Sequence, residues 1–168
     1  MRHVISVLVD NEPGVLSRIS GLFSGRGFNI ESLNVAETLD PAVSRMTLVT
    51  RGNEQIVEQI IKQLNKLVNV IKVIDLTGSE YVDREMALIK VNAEASSRAE
   101  ILRIVDIFRG RIVDVSSKSY TLEITGDDEK IQAVINLLLP FGILEVVRTG
   151  KVAIARAQKE VVTKSREQ

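Results

Sequence analysis

The feature that most constrains this chain is the order in which two hydrophobic periodicities alternate, and the fact that the order occurs twice. Residues 4–9 form an apolar, β-branched run ended by Asp10-Asn11-Glu12-Pro13-Gly14, which reads as a buried strand and a turn. Val15, Leu16, Ile19, Leu22 and Phe23 then recur at helical spacing up to Gly25-Arg26-Gly27. Residues 28–38 and 43–50 are strand-like, with Asp40-Pro41 marking the hairpin between them. Ile56, Ile60, Ile61, Leu64 and Leu67 make 55–67 an amphipathic helix, and 68–76 returns to a strand. After the polar bridge 77–83 the same order recurs. A strand over 86–93 leads to a helix capped by Ser96 or Ser97 and bearing Ile101, Leu102, Val105 and Phe108. A hairpin follows over 112–116 and 120–125, with Tyr120, Leu122 and Ile124 on one face. A helix opened by Gly126-Asp127-Asp128 carries Ile131, Val134, Ile135 and Leu138, and 143–147 is the last strand.

Each half therefore reads β-α-β-β-α-β, the split βαβ arrangement with both helices on one face of a sheet. The predicted fold class is α+β, two ferredoxin-like βαββαβ units. The units span 1–77 and 84–150, with a linker at 78–83 and a basic tail at 151–168. Literal similarity between the halves is weak, so the repeat is one of pattern. Units this small bury a modest share of their surface. Their open sheet faces and edge strands call for cover by edge-to-edge dimerisation or by docking of one unit on the other.

Composition narrows the chemistry. The chain has no cysteine and one histidine, His3, so thiol nucleophiles, disulfides and cysteine-ligated zinc are excluded. An imidazole-based triad would have to use His3, which otherwise reads as a first-strand residue near the edge. Basic and acidic side chains number 22 each, which leaves no electrostatic footprint for nucleic acid or membrane. The N-terminus lacks a signal-peptide pattern, and no apolar run approaches the roughly 20 residues of a membrane span. With no cysteines to pair, a cytoplasmic location is expected. After Gly150 the chain carries five basic and two acidic residues, either a partner-binding tail or a solvated end.

This topology hosts unrelated functions, so residue types must discriminate. An RNA-recognition sheet needs aromatic side chains on its central strands, but 45–50 reads RMTLVT and its counterpart offers only Tyr120. Metal chaperones of this shape need paired thiolates. An acylphosphatase-like site needs a phosphate-cradling loop, and Arg18 and Arg26 come without one. Glu31, Glu37 and Asp40 lie on or near one strand with no second carboxylate set opposite by spacing.

The stretch richest in chemistry is the first turn. Pro13 just inside a helix start has its φ preset, and Gly14 permits close approach to the backbone. The free N–H groups of residues 14–16, with the helix dipole, suit a carboxylate. Asn11 and Asn29 offer amides able to meet both ends of a zwitterion. Val15, Leu16, Phe28 and Ile30 are available as an apolar wall. A competing reading makes the same turn a plain helix start and Asn29 a turn residue.

The runs VISVLVDNEPGVLSRISGLF (4–23) and RGFNIESL (26–33) resemble an ACT domain, a small module that binds amino acids. Together with RMT (45–47), QLNKLV (63–68), REMALIKV (84–91), FRGRIVDV (108–115) and SYTLEITG (119–126), they resemble the small regulatory subunit family of acetohydroxyacid synthase (acetolactate synthase) over nearly the whole chain. The resemblance implies a non-catalytic subunit that dimerises side by side through its ACT domains. It implies feedback inhibition by valine or a related branched-chain amino acid bound at the dimer interface, within branched-chain amino-acid (valine, leucine, isoleucine) biosynthesis. It further implies a separate catalytic large subunit, activated by this one, that holds thiamine diphosphate, Mg²⁺ and FAD, while this chain holds no cofactor and no metal. Carried over by residue, the ligand loop falls on Asn11, Gly14, Val15 and Leu16, with Pro13 structural, and the facing group of the other protomer on Asn29 and Ile30. An alternative is a free-standing ACT-type sensor that governs another enzyme.

Overall fold

The computed structural model describes residues 1–157. The first unit runs β1 (Arg2–Asp10), α1 (Val15–Gly25), β2 (Ile30–Glu37), β3 (Val43–Arg51), α2 (Glu54–Asn65) and β4 (Val70–Asp75). The second runs β5 (Tyr81–Asn92), α3 (Arg98–Ile107), β6 (Arg111–Val115), β7 (Ser119–Gly126), α4 (Asp128–Leu138) and β8 (Ile143–Arg148). A short strand, β9 (Val152–Ala155), follows. The sheets are ordered β2-β3-β1-β4 and β6-β7-β5-β8, antiparallel throughout, as the repeated βαββαβ pattern requires. No helix among the described residues is long and apolar enough to cross a membrane.

Period-two alternation in the strands and helical spacing in the helices meet in one core per unit. Ile5, Val7 and Val9 of β1 and Met46 and Leu48 of β3 pack against Val15, Ile19 and Phe23 of α1 and Val57, Ile60 and Leu64 of α2. The second core is built likewise from Ala87, Ile89 and Val91, Leu122 and Ile124, and the inner faces of α3 and α4. Fully burying a Val, Leu, Ile or Phe side chain contributes about 1.5–3 kcal/mol, so these clusters dominate each unit's stability. Two helix starts are capped by side chains: Asn53 accepts from Ile56 N–H and Asp127 from Lys130 N–H, both at 2.9 Å. Ser97 stands at the cap of α3, but its hydroxyl donates to Glu94 C=O instead of accepting from the helix.

Element ends differ from the sequence reading where turns capture residues. Phe28 N–H bonds Phe23 C=O and Val70 N–H bonds Leu67 C=O, so β2 and β4 each begin two residues later than expected. Pro13 precedes the helix cap, because Gly14 itself is the cap residue. The larger corrections concern the linker and the tail. Residues 81–83, read as part of the linker 78–83, open the long strand β5. The tail expected over 151–168 begins with β9, which pairs with Tyr81–Arg84, while 158–168 lie outside the described residues. This β5–β9 ribbon crosses the open face of the first sheet. Ala153 packs there with Val4, Val49 and Leu76, with Ile74 and Tyr81 beside them. Docking of one unit on the other is thus how this face is covered.

At the edge of that contact a chain of charges alternates in sign: Arg51, Glu31, Arg2, Asp128, Arg148 and Glu85. Glu31 accepts from both Arg2 (2.7 Å) and Arg51. Asp128 accepts from Arg2 and from Arg148, each at 2.9 Å. Arg148 grips Glu85 with two bonds, of 2.6 and 2.9 Å. Partly exposed ion pairs contribute about 0–1 kcal/mol each, so the apolar ribbon holds the units together and the ions fix their orientation. Burial works against the charge on Glu31, but hydrogen bonds from Arg2 and Arg51 outweigh it and hold its pKa below the ordinary 4.5. Asp128 is likewise held below 3.8, desolvation being overcome by Arg148 and Arg2. A depressed carboxylate contributes stability that is present above its unfolded pKa and lost as pH falls through the folded one. Urea unfolding should therefore show a stability drop between about pH 7 and about pH 3 that is smaller in Arg2→Gln, by on the order of 1 kcal/mol or less. An equal drop in both proteins would remove these carboxylates from the account.

Candidate functional site

The loop from Asp10 to Gly14 is anchored on both sides. Asp10 N–H bonds Asn69 C=O (2.9 Å), and the Asn69 amide donates to Glu12 at 3.2 Å and to Asp10 at 3.4 Å. Arg18 donates to the Asn69 side-chain oxygen at 2.6 Å, and Asn69 itself is buried. On the other side Asn11 N–H bonds Ala42 C=O at 2.8 Å. The Asn11 amide donates to Glu37 (3.1 Å) and to Pro41 C=O (2.9 Å), tying the loop to the β2–β3 hairpin. Asn11 was expected to offer both halves of its amide; its N–H₂ is spent on the hairpin, and its oxygen is what remains for a ligand.

Gly14 has φ of +85°, the left-handed region, and a Cβ added there would meet nothing within 4 Å. Glycine is thus needed for the backbone, and the space beside it is open. No side chain caps α1. Val15 N–H reaches Glu12 C=O only at 3.5 Å, and among the described residues Leu16 and Ser17 N–H have no backbone partner. Donors at the positive end of a helix dipole stand free at the surface. The Val15 side chain is buried in the core at 5% exposure, so this residue can offer a site its backbone but not the apolar wall expected of it. Leu16, 44% exposed, is the side chain left to supply that wall.

Asn29 immediately precedes β2, and Ile30 is its first residue. Asn29 is exposed, and its C=O accepts from the buried Thr50 hydroxyl at 2.7 Å, which fixes the start of the strand. Ile30 and Phe28 are half buried against the core. Pairing jumps from Ile30↔Thr50 to Ser32↔Val49, leaving Glu31 as the extra residue of a bulge. Asn69, Thr50 and this bulge belong to no spacing pattern, and Arg18, considered from sequence only for an acylphosphatase-like site, is an anchor of the loop.

The two groups of site residues are not brought together within one chain. Ile30 lies across from Thr50, which lies across from His3, whereas Asn11 follows Asp10 at the far end of the same strand. About seven strand residues separate them, roughly 23 Å at 3.3 Å per residue. His3 lies in β1, a central strand and not an edge. It is 4% exposed, and neither ring nitrogen has a partner among the described residues. Among the described residues no group of three His, Cys, Asp or Glu side chains is set to hold a metal ion.

Comparison with known proteins matches both units. Residues 5–72 match the family described as the AHAS small subunit-like ACT domain, and 84–157 match the small subunit of acetolactate synthase. The chain is 53% identical over 160 residues to a probable acetolactate synthase small subunit of Archaeoglobus fulgidus, covering 95% of this chain and all of that one. It is 52% identical over 163 residues to the acetolactate synthase small subunit of Haemophilus influenzae, covering 96% of this chain and all of the relative. The solved small subunit from Thermotoga maritima superposes with a TM-score of 0.86 at 44% identity, over 95% of this chain and 99% of that one. With a helix-start loop anchored on both sides of an ACT-type sheet, and likeness to such subunits over 95% of its length or more, the chain belongs to the acetolactate synthase small-subunit family.

Proposed function

We propose that the chain is a non-catalytic regulatory subunit. It dimerises through its first unit, binds valine or a related branched-chain amino acid across that dimer, and pairs with a catalytic large subunit that it activates and renders sensitive to feedback. Thiamine diphosphate, Mg²⁺ and FAD are then the partner's. The observation that carries the reading is the separation of the two half-sites. A ligand the size of valine cannot span roughly 23 Å, so loop 11–16 and residues 29–30 can serve one ligand only if they come from two chains.

The topology offers a way. β2 is an edge strand, and Val35 and Leu39 at that edge are exposed apolar residues. Antiparallel pairing of β2 with a second copy runs the start of one strand against the end of the other. The end of β2 is Glu37, which Asn11 holds directly. Asn29 of one protomer thereby meets the Asn11 loop of its partner, twice per dimer. The valine carboxylate would sit on the free N–H groups at Leu16 and beside Gly14, the ammonium on the amide oxygens of Asn29 and Asn11, and the side chain against Leu16 and Ile30. About eight heavy atoms cap the affinity near −12 kcal/mol, and desolvation of both charged ends removes much of that. A Kd of roughly micromolar to millimolar follows, in the range of a metabolite sensor.

The test is calorimetry with valine alongside inhibition of the reconstituted complex. Gly14→Asp puts a like charge beside the carboxylate; it should abolish valine binding and inhibition and leave activation of the large subunit intact. Gly14→Ala is its control. The left-handed φ destabilises it by about 1 kcal/mol in urea unfolding, yet with open space beside Cβ it should keep valine binding. Unchanged valine affinity in Gly14→Asp would overturn the placement. Asn29→His, which replaces the amide oxygen offered to the ammonium by a bulkier ring, should lose binding as well. The chain alone, given thiamine diphosphate, Mg²⁺ and FAD, should form no acetolactate from pyruvate, whereas a pull-down should retain the large subunit. Turnover by the chain alone would sink the regulatory reading.

A further inference from the structure

The strand that opens at the candidate ligand residue Ile30 is also the strand to which the polar contacts of the second unit lead. Among the described residues, two side-chain hydrogen bonds join the units, and both lead to β2. One is Asn34 on β2 donating to Lys151 C=O at 3.1 Å. The other is Arg2 bonding Asp128, the first residue of α4, while its guanidinium also holds Glu31 of β2. A third contact is steric. Gly150, between β8 and β9, has φ of +76°, and a Cβ there would stand 2.6 Å from Ser32 Cβ and 3.2 Å from the Asn34 amide nitrogen. Ser32 and Asn34 thus clamp the turn that leaves β8, and Glu31 beside them holds Arg2. A cleft of about 400 Å³ lies beside the clamp, walled by Arg2, Glu31, Ser32, Asp128, Arg148 and Gly150.

The bulge gives this arrangement a lever. Glu31 is the residue without a ladder partner, directly after Ile30. A change in how the start of β2 is held therefore moves its carboxylate before it disturbs the regular pairing that resumes at Ser32. That carboxylate is bound by Arg2, Arg2 by Asp128, Asp128 by Arg148, and Arg148 by the buried Glu85 of β5. From these contacts we infer that the Glu31 bulge, the Arg2–Asp128 bridge and the Gly150 seat form the coupling between the amino-acid site and the C-terminal unit, and that Arg2 transmits inhibition without taking part in ligand binding. This rests on the reading of the site given above. Glu31 carries the displacement, the ionic chain passes it to the start of α4 and to β5, and the cleft leaves room for the second unit to shift on β2.

Arg2→Gln and Gly150→Ala test it in the reconstituted complex, with Glu58→Gln as the control that breaks the exposed Glu58–Lys62 pair on α2. Arg2→Gln should bind valine within about threefold of the unmodified chain and activate the large subunit as before. It should need at least about tenfold more valine for half inhibition, a change within the usual range of coupling factors. Gly150→Ala, which must lift the turn off Ser32, should shift inhibition in the same way, and Glu58→Gln should shift nothing. Inhibition at unchanged valine concentration in both Arg2→Gln and Gly150→Ala overturns the coupling. Loss of valine binding in Arg2→Gln also overturns it, since Arg2 would then belong to the site. Failure of the unmodified chain to bind valine is a separate result, and it strikes the reading of the site itself.

Discussion

A four-stranded antiparallel sheet with both helices on one side leaves its other face and its edges uncovered, and the rest of this molecule depends on how that deficit is met. In the first unit the uncovered face carries Val4 and Val49, too apolar to leave in water. The β5–β9 ribbon lies across them through Ala153 and Tyr81. One face being closed this way fixes where the second unit sits, and so which residues of β2 face the turn at Gly150. The same strand order leaves β2 and β4 as edge strands. Cover for a face and vacancy at an edge are two outcomes of one geometric constraint.

Much of the fold was legible because its information is local. Residues 4–9 are apolar nearly throughout, as a strand buried on both faces must be, and Ile56, Ile60 and Leu64 recur as a helix must, so tertiary context had nothing to overrule. The strand β9 was not legible. Four residues, Val152–Ala155, sit in a basic stretch and are too few to show a period, and their conformation comes from pairing with Tyr81–Arg84. The same pairing explains why 81–83 looked like a linker: Asp83 and Arg84 interrupt any hydrophobic pattern, yet their backbones are engaged in the ribbon.

The site was legible as a set of residues and not as an arrangement. Pro-Gly before an apolar helix announces a helix start, but both Pro at the first helical position and Gly at the cap fit that signal. The positive φ of Gly14 decided for the second. Val15 fits both the core spacing and the ligand reading, and burial assigns its side chain to the core while leaving its backbone N–H for the loop. Asn69 and Arg18, which anchor the loop, come from positions that carry no local signature. Contacts spanning 51 residues, as between Arg18 and Asn69, are outside what a window of sequence can display.

Gly14 has a consequence for what a bound molecule would be to this protein. Asn53 and Asp127 finish their helices with their own side chains, whereas α1 starts at a residue that has none, with N–H groups open to the surface. Glycine in place of a capping side chain costs a helix about a few tenths of a kcal/mol, so α1 is left incomplete by that order. A carboxylate settling there would act as the missing cap, supplied from solution. The small molecule would then serve as a structural part of the helix it touches, and occupancy of the site and fraying of the first turn of α1 would be two measures of one equilibrium.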